Sequence, residues 1–255
     1  MKLFQTSRIK TGPMVCTALL LSIGLNAACM ADTDNKHAIN LPPSANLIYT
    51  IKARQSGIPL SGEASVNWQL SEKKYSIVTE TRAMLVGKIL DASSTGTVDN
   101  YGLAPDKFVE KRFRKNESIT RFERSGANKL ISFSESTEQY PITGGEQDRT
   151  SATWQLVAMA RAAGEKFKAG SEWKMFVAGR RDAEPWTFKV IQKESISTAL
   201  GEFATIHIIK APPPDSKDQQ LELWLAPAME WYPVRLRFSD ADGDYVEQSI
   251  GQIKK

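Results

Sequence analysis

Cysteine and histidine are nearly absent from this chain, with two of each in 255 residues. Cys16 and Cys29 fall within the first 31 residues and His37 lies just beyond, so His207 is the one histidine inside the patterned region. Without the N-terminal stretch there is no thiol, which excludes a disulfide framework, a redox pair, a thiolate metal site and a cysteine nucleophile. One histidine is also too few for zinc held by nitrogen and sulfur ligands. A long apolar run is lacking as well. Residues 14–25 (MVCTALLLSIGL) number twelve, against the ~20 of a membrane-spanning helix. Nor does a surplus of positive charge survive once its source is located. Residues 1–31 carry Lys2, Arg8 and Lys10, three of the 33 Lys and Arg, and none of the 29 Asp and Glu. The remainder has 30 against 29, a net charge of +1, so nucleic-acid binding is not indicated.

What the N-terminal stretch does contain is a positive head (residues 1–13), the short apolar run, and a small-residue exit at residues 26–31 (NAACMA). Together these form the pattern of a secretory signal. Ala31, with Cys29 two residues earlier, puts small side chains where a signal peptidase inspects them, so cleavage is expected near Ala31. The alternative is a lipid anchor on Cys29. Ala27 and Ala28 suit it, but Asn26 stands where an aliphatic residue is wanted. The expected address is the periplasm, with no transmembrane span in the mature chain. The 224 residues after position 31 suffice for a hydrophobic core. Residues 32–46 are polar and hold Pro42 and Pro43, and read as a flexible lead-in. Residues 47–255 read as one antiparallel β domain.

Alternation dominates that domain. Ala64, Val66, Trp68 and Leu70 alternate with polar residues, as do Trp186, Phe188 and Val190. So do Ala204, Ile206 and Ile208; Leu221, Leu223 and Leu225; and Val234, Leu236 and Phe238. A period of two means strands with one buried face, and such strands belong to antiparallel sheets. Turn signals separate them: Ser56-Gly57, Tyr101-Gly102, Ser125-Gly126, Gly144-Gly145, Leu200-Gly201, Pro212 to Pro214, and Asp242-Gly243. Roughly ten strands fit. Residues 107–123 alternate poorly among many charges, which predicts long exposed strands or an edge. One helix is predicted over residues 151–163. Thr150 or Ser151 caps it, Leu156, Val157, Ala160 and Ala163 share a face, and Gly164 stops it. The fold class is therefore mainly β: a curved antiparallel sheet or partial barrel with one amphipathic helix on its concave side.

Several motifs are candidates for function. Gln147-Asp148-Arg149 precedes the helix. Asp148 suits the positive end of the helix dipole. Arg149 suits either an anionic headgroup or a local network that docks the helix. Trp68, Trp186 and Phe188 lie on apolar strand faces, where they fill a core or line an apolar pocket. The stretch Lys111, Arg112, Arg114, Lys115, Arg121 and Arg124, with Phe113 and Phe122 between, is either a solvated strand face or a contact for anionic lipid headgroups. Asp240, Asp242 and Asp244 around Gly243 read as a hairpin turn, because the twelfth position of a calcium loop would fall on Gly251. His207 reads as an ordinary strand residue. No cofactor, metal or catalytic set is expected. A carboxylate-pair hydrolase is the enzymatic alternative, since spatial pairing of acids does not show in a sequence.

The order of short motifs resembles the bacterial domain-of-unknown-function family DUF3108. The motifs are Tyr49 and Ser61-Gly62-Glu63-Ala64 with Trp68; Tyr101-Gly102-Leu103-Ala104-Pro105; Gln147-Asp148-Arg149-Thr150-Ser151; Thr198-Ala199-Leu200-Gly201-Glu202-Phe203; and Trp224-Leu225-Ala226-Pro227 with Tyr232-Pro233-Val234-Arg235. The resemblance marks Gln147, Asp148, Gly201, Trp224 and Pro233 as signature positions. It implies an exported envelope protein and carries over no activity. A more distant likeness, at the level of fold, is to periplasmic lipoprotein carriers of the Lol type. The expected function is non-enzymatic binding of an apolar or lipidic envelope ligand, with Trp68, Trp186, Phe188 and Arg149 as binding residues. The alternative is an envelope scaffold or assembly factor whose partners are other envelope proteins.

Overall fold

A computed structural model describes residues 36–126, 128–211 and 219–254. The signal pattern, both cysteines and the Pro212 to Pro214 turn lie outside the described residues. Fifteen strands form among the described residues, against the roughly ten that alternation predicts. The first eight are β1 (Ala45–Gln55), β2 (Ile58–Ser71), β3 (Lys74–Ala83), β4 (Gly87–Asp99), β5 (Gly102–Arg112), β6 (Glu117–Glu123), β7 (Leu130–Phe133) and β8 (Ser136–Pro141). After the two-residue β9 (Gln147–Asp148) comes the helix α1 (Ser151–Ala163). The chain ends with β10 (Glu172–Ala178), β11 (Ala183–Thr198), β12 (Gly201–Lys210), β13 (Gln220–Leu225), β14 (Pro233–Ser239) and β15 (Tyr245–Lys254).

All fifteen belong to one open, curved sheet. Its order is β8 to β1, then β15 down to β9, so the first and last strands pair in the middle. Every pairing is antiparallel except β9 with β10. Residues 107–123 are not an edge. They form β5 and β6, interior strands that pair on both sides, and the edges are β8 and β9. Their poor alternation comes from Glu110, Ser118 and Thr120 on the buried face, Val109 and Ile119 on the other face, and the charges at the hairpin turn, while Phe108 and Phe122 are buried.

The two flanks of the sheet curl toward each other. Thr120 of β6 donates its hydroxyl to Gly179 O (2.8 Å), and Arg180 pairs with Glu135 (2.7 Å). Phe108, Phe122 and Ile131 share a cluster there with Ala178 and Ala183. The helix fills the space between the flanks. It runs over the predicted residues and stops at Gly164, where φ is +53° and the amide bonds back to Ala160 O. Nine of its thirteen residues are buried, more than a single amphipathic stripe would bury. Trp154 enters the cluster under β1, β2, β14 and β15, while Leu156, Val157, Met159 and Ala160 enter the cluster under β10 to β13.

The lead-in is tied down from the point where it is described. The Asn40 amide donates to Ala158 O on the helix (3.0 Å), and Arg161 Nε donates back to Asn40 O (3.1 Å). Trp68 Nε1 donates to Pro42 O (3.1 Å) and Tyr232 hydroxyl to Pro43 O (2.9 Å). Residues 39–43 therefore form a strap across the helix, where a flexible tether was expected. The prolines present carbonyls to buried donors while asking for no hydrogen bond themselves.

Candidate functional site

The Gln147-Asp148-Arg149 motif sits where β9 hands over to α1. Asp148 is fully buried. Its Oδ1 accepts the amides of Thr150 and Ser151, both at 2.8 Å, so Asp148 serves the helix start, whereas Thr150, the expected cap, makes no side-chain capping bond. Its Oδ2 accepts the Ser94 hydroxyl at 2.5 Å, and Ser94 lies 3.0 Å from the Tyr75 hydroxyl. Burial pushes the Asp148 carboxyl up to about 6, against the lowering effect of these donors. The Tyr75 hydroxyl is pushed up by its own burial and then by the nearby Asp148 charge. Gln147 is equally buried and donates to Leu103 O (2.6 Å). Gln155 on the helix accepts the Leu103 amide (2.9 Å) and donates to Tyr101 O (2.7 Å). Gly102 allows this. Its φ is +113°, and a Cβ there would collide with the Gln155 amide group. The helix is thus docked by Gln147, Asp148 and Gln155, and Arg149 takes no part.

Arg149 is exposed and lies against Gly179, where an added Cβ would stand 2.9 Å from Nε. No ion-pair partner for it occurs among the described residues. It lines a cavity of about 330 Å³ together with Trp186, Lys210, Leu221, Phe238 and the acids Asp182 and Glu184. Lys210 Nζ stands 4.7 Å over the Trp186 ring and 3.5 Å from Glu184, whose Oε1 also accepts Trp186 Nε1 (2.8 Å). Two predicted binding residues, Arg149 and Trp186, thus meet in one cavity. The other two lie elsewhere. Phe188 has no exposed surface and packs beneath the helix beside Leu156 and Val157. Trp68 is likewise fully buried, its ring stacked on Trp154. Both are core residues in this fold.

The outer face of β11 to β14 carries a set that sequence reasoning missed. His207 Nδ1 lies 3.2 Å from Glu194 and Nε2 lies 3.0 Å from Glu222, with the ring stacked on Trp224 at 4.4 Å. Trp224 Nε1 donates to the same Glu194 (2.6 Å), and Arg235 covers the indole at 5.8 Å. The signature residue Trp224 therefore holds a cross-strand polar cluster. The two ring nitrogens point to different carboxylates, so these groups do not converge on one reacting or metal-binding point. Among the described residues no group of three or more His, Cys, Asp or Glu is placed to hold a metal ion. Pro233 is buried against β13 and offers its carbonyl to the Tyr49 hydroxyl (2.8 Å), and Gly201 opens β12 with φ +117°.

The family described as protein of unknown function, DUF3108, matches over residues 48–248. No curated protein matches the chain. Among solved structures, a Bacteroides fragilis protein with a YmcC-like fold has 9% identity, covers 86% of this chain and 100% of its own, and has a TM-score of 0.32. A DUF1329 family protein from Desulfovibrio piger has 5% identity, covers 84% and 85%, and has a TM-score of 0.28.

Proposed function

This chain belongs to the DUF3108 family, and from that premise we propose that it is a non-enzymatic protein of the cell envelope that binds an amphipathic, anionic ligand in the Arg149 cavity. The observation that supports this is the meeting of a guanidinium with an aromatic and apolar wall. Arg149 offers a planar fork of donors suited to a carboxylate or phosphate. Trp186, Leu221 and Phe238 offer surface for an apolar segment. The cavity of about 330 Å³ lies at the low end of the ~300–1,000 Å³ usual for ligand sites. It takes a headgroup and a short apolar stretch, with the rest of a longer chain outside. Binding inside the curved sheet is replaced by binding at one end of it.

Titration with dodecyl phosphate tests this reading, using dodecyl maltoside as the neutral control and tryptophan fluorescence as the signal. The phosphate is expected to bind and the maltoside to bind at least about tenfold more weakly, with the preference lost in Arg149→Ala. Equal binding of the two detergents, or no binding, would overturn it. The N-terminal signal pattern supports the periplasmic address. Intact mass of the protein recovered from cells decides between cleavage near Ala31 and a lipid on Cys29. A second reading, a scaffold acting through protein contacts, draws on the exposed edge strand β8, and crosslinking in cells distinguishes it.

A further inference from the structure

Eight large apolar side chains are exposed among the described residues, and six sit at one end of the sheet. Ile58 and Leu60 follow the β1–β2 turn, Met84, Leu85 and Val86 form the β3–β4 turn, and Phe113 lies in the β5–β6 turn. These hairpin ends are neighbours. The Met84 amide donates to Ser61 O, and the Phe113 amide to Ile89 O. Leu85 is 92% exposed and Met84 77%, so these side chains project beyond everything beside them and line no groove. Clustering of this kind is unlike the scattered apolar residues of an ordinary surface.

Four cations at the tips are available. Arg54, Lys111, Arg114 and Lys115 are all exposed, and none forms an ion pair among the described residues. The Arg114 guanidinium lies 4.9 Å over the Phe113 ring, so cation and apolar ring present themselves together. Arg112 is held by Glu110, and Arg82 and Lys88 by Glu80, which leaves those three committed within the fold. Farther along the same stretch, Arg124 is also structural, bonding to Pro105 O (3.0 Å).

We propose that this end of the sheet docks on an anionic lipid bilayer. Leu85, Met84 and Val86 enter the boundary between headgroups and acyl chains, and Arg54, Lys111, Arg114 and Lys115 meet the headgroups. Projecting apolar tips suit a fluid interface that closes around them, whereas a folded protein partner would need a matching pocket for each. The free cations complement an anionic surface; the acids nearest them are Glu117, across the hairpin from Lys111, and Asp244, whose carboxylate is taken up by the Ser56 amide (2.8 Å). Strands lie ~4.8 Å apart, so tips carried between β2 and β6 spread over roughly 20 Å, a footprint of several lipids. Trp186, Lys210 and Phe238, which line the Arg149 cavity, lie near the same ends of their strands as these tips.

Sedimentation with lipid vesicles tests the proposal. The purified chain is mixed with vesicles of phosphatidylethanolamine and phosphatidylglycerol, and separately with vesicles of phosphatidylcholine alone. Binding is expected to the anionic vesicles, and to weaken with salt. Leu85→Asp and the double change Arg114→Glu with Lys115→Glu are each expected to lower partitioning at least about tenfold. Melting temperature controls for folding, and Leu85 is so exposed that its replacement leaves the core untouched. Leu85→Asp, which lies outside the Arg149 cavity, is expected to keep the parent's binding of monomeric dodecyl phosphate, which separates this proposal from the ligand reading. Absence of binding by the parent, or variants that bind equally well, would overturn it. So would a parent dimer that Leu85→Asp converts to monomer, since the tips would then belong to self-association.

Discussion

Trp68 of β2 and Trp154 of α1 lie ring on ring, their centroids 4.7 Å apart and their planes within 14° of parallel. Tyr232 meets Trp154 edge-on at 6.1 Å. This aromatic stack joins the helix to the middle of the sheet. Trp154→Ala is expected to destabilise the protein by about 3–5 kcal/mol, from lost burial and the cavity left behind. Urea unfolding measures it. Trp68→Phe keeps most of the packing but leaves Pro42 O without its donor, at a cost of about 1–3 kcal/mol.

The strap over the helix makes a separate prediction. Removing residues up to Asn40 deletes the Asn40 bonds to Ala158 and Arg161 and the packing of Ile39. A loss of about 1–2 kcal/mol is expected by urea unfolding, from one half-buried aliphatic side chain and the Asn40 backbone bonds. An unchanged midpoint would show the strap to be a passenger.

Asp148 carries a pH dependence whose sign is opposite to that of a salt-bridged carboxylate. Its folded value is raised to about 6 from the ordinary 3.8. Between those values the folded state holds the proton more often than the unfolded state, so stability from this group falls as pH rises through the window. The full difference between pH 3 and pH 7 is roughly 3 kcal/mol, because a tenfold change in proton affinity corresponds to about 1.4 kcal/mol. Asp148→Asn keeps an oxygen for the Thr150 and Ser151 amides and removes the titration. The stability of the parent relative to this variant should therefore decline from pH 4 to pH 7, as measured by urea midpoints. A constant difference would show that the carboxyl titrates normally.

Arg149 should matter little for folding. It is exposed, and the helix is docked by its neighbours, so Arg149→Ala should change stability by no more than about 0.5 kcal/mol. Gly179→Ala is the more informative change. Its methyl group would stand 2.9 Å from the guanidinium nitrogens and would push Arg149 aside without removing its charge. Ligand binding should fall while the net charge of the cavity stays the same.

The helix was legible because a 3.6-residue pattern ended at a glycine, and Asp148 was legible because a carboxylate before a helix has few better partners than the first amides. The extra strands were hidden for two reasons. Turns at Glu72 and Arg114 place non-glycine residues at φ of 53° and 55°, so no glycine announces them. In β4 the inward positions are small or polar, with Ala92 and Ser94 in place of large apolar residues, because the buried Asp148 network packs there. Period alone also cannot separate Trp68 from Trp186. Both alternate with polar residues, yet one is sealed beneath a helix and the other borders a cavity. Glu194, His207 and Glu222 come together only through the pairing of β11, β12 and β13, which no local pattern encodes.

Strand β1 finds its partner in β15, with Arg54 opposite Tyr245 and Asn46 opposite Lys254. On either side of that joint the strands form meanders, apart from the parallel β9–β10 pair linked by α1, and each can zip locally as it is synthesised. The joint between them must wait for β15. Loss of that strand would thus leave β1 and β14 as two raw edges in the middle of the molecule, each a template for pairing with another chain. Strand β15 acts as a completeness check: only a polypeptide that has reached it closes the sheet, and one that stops short advertises itself by aggregating.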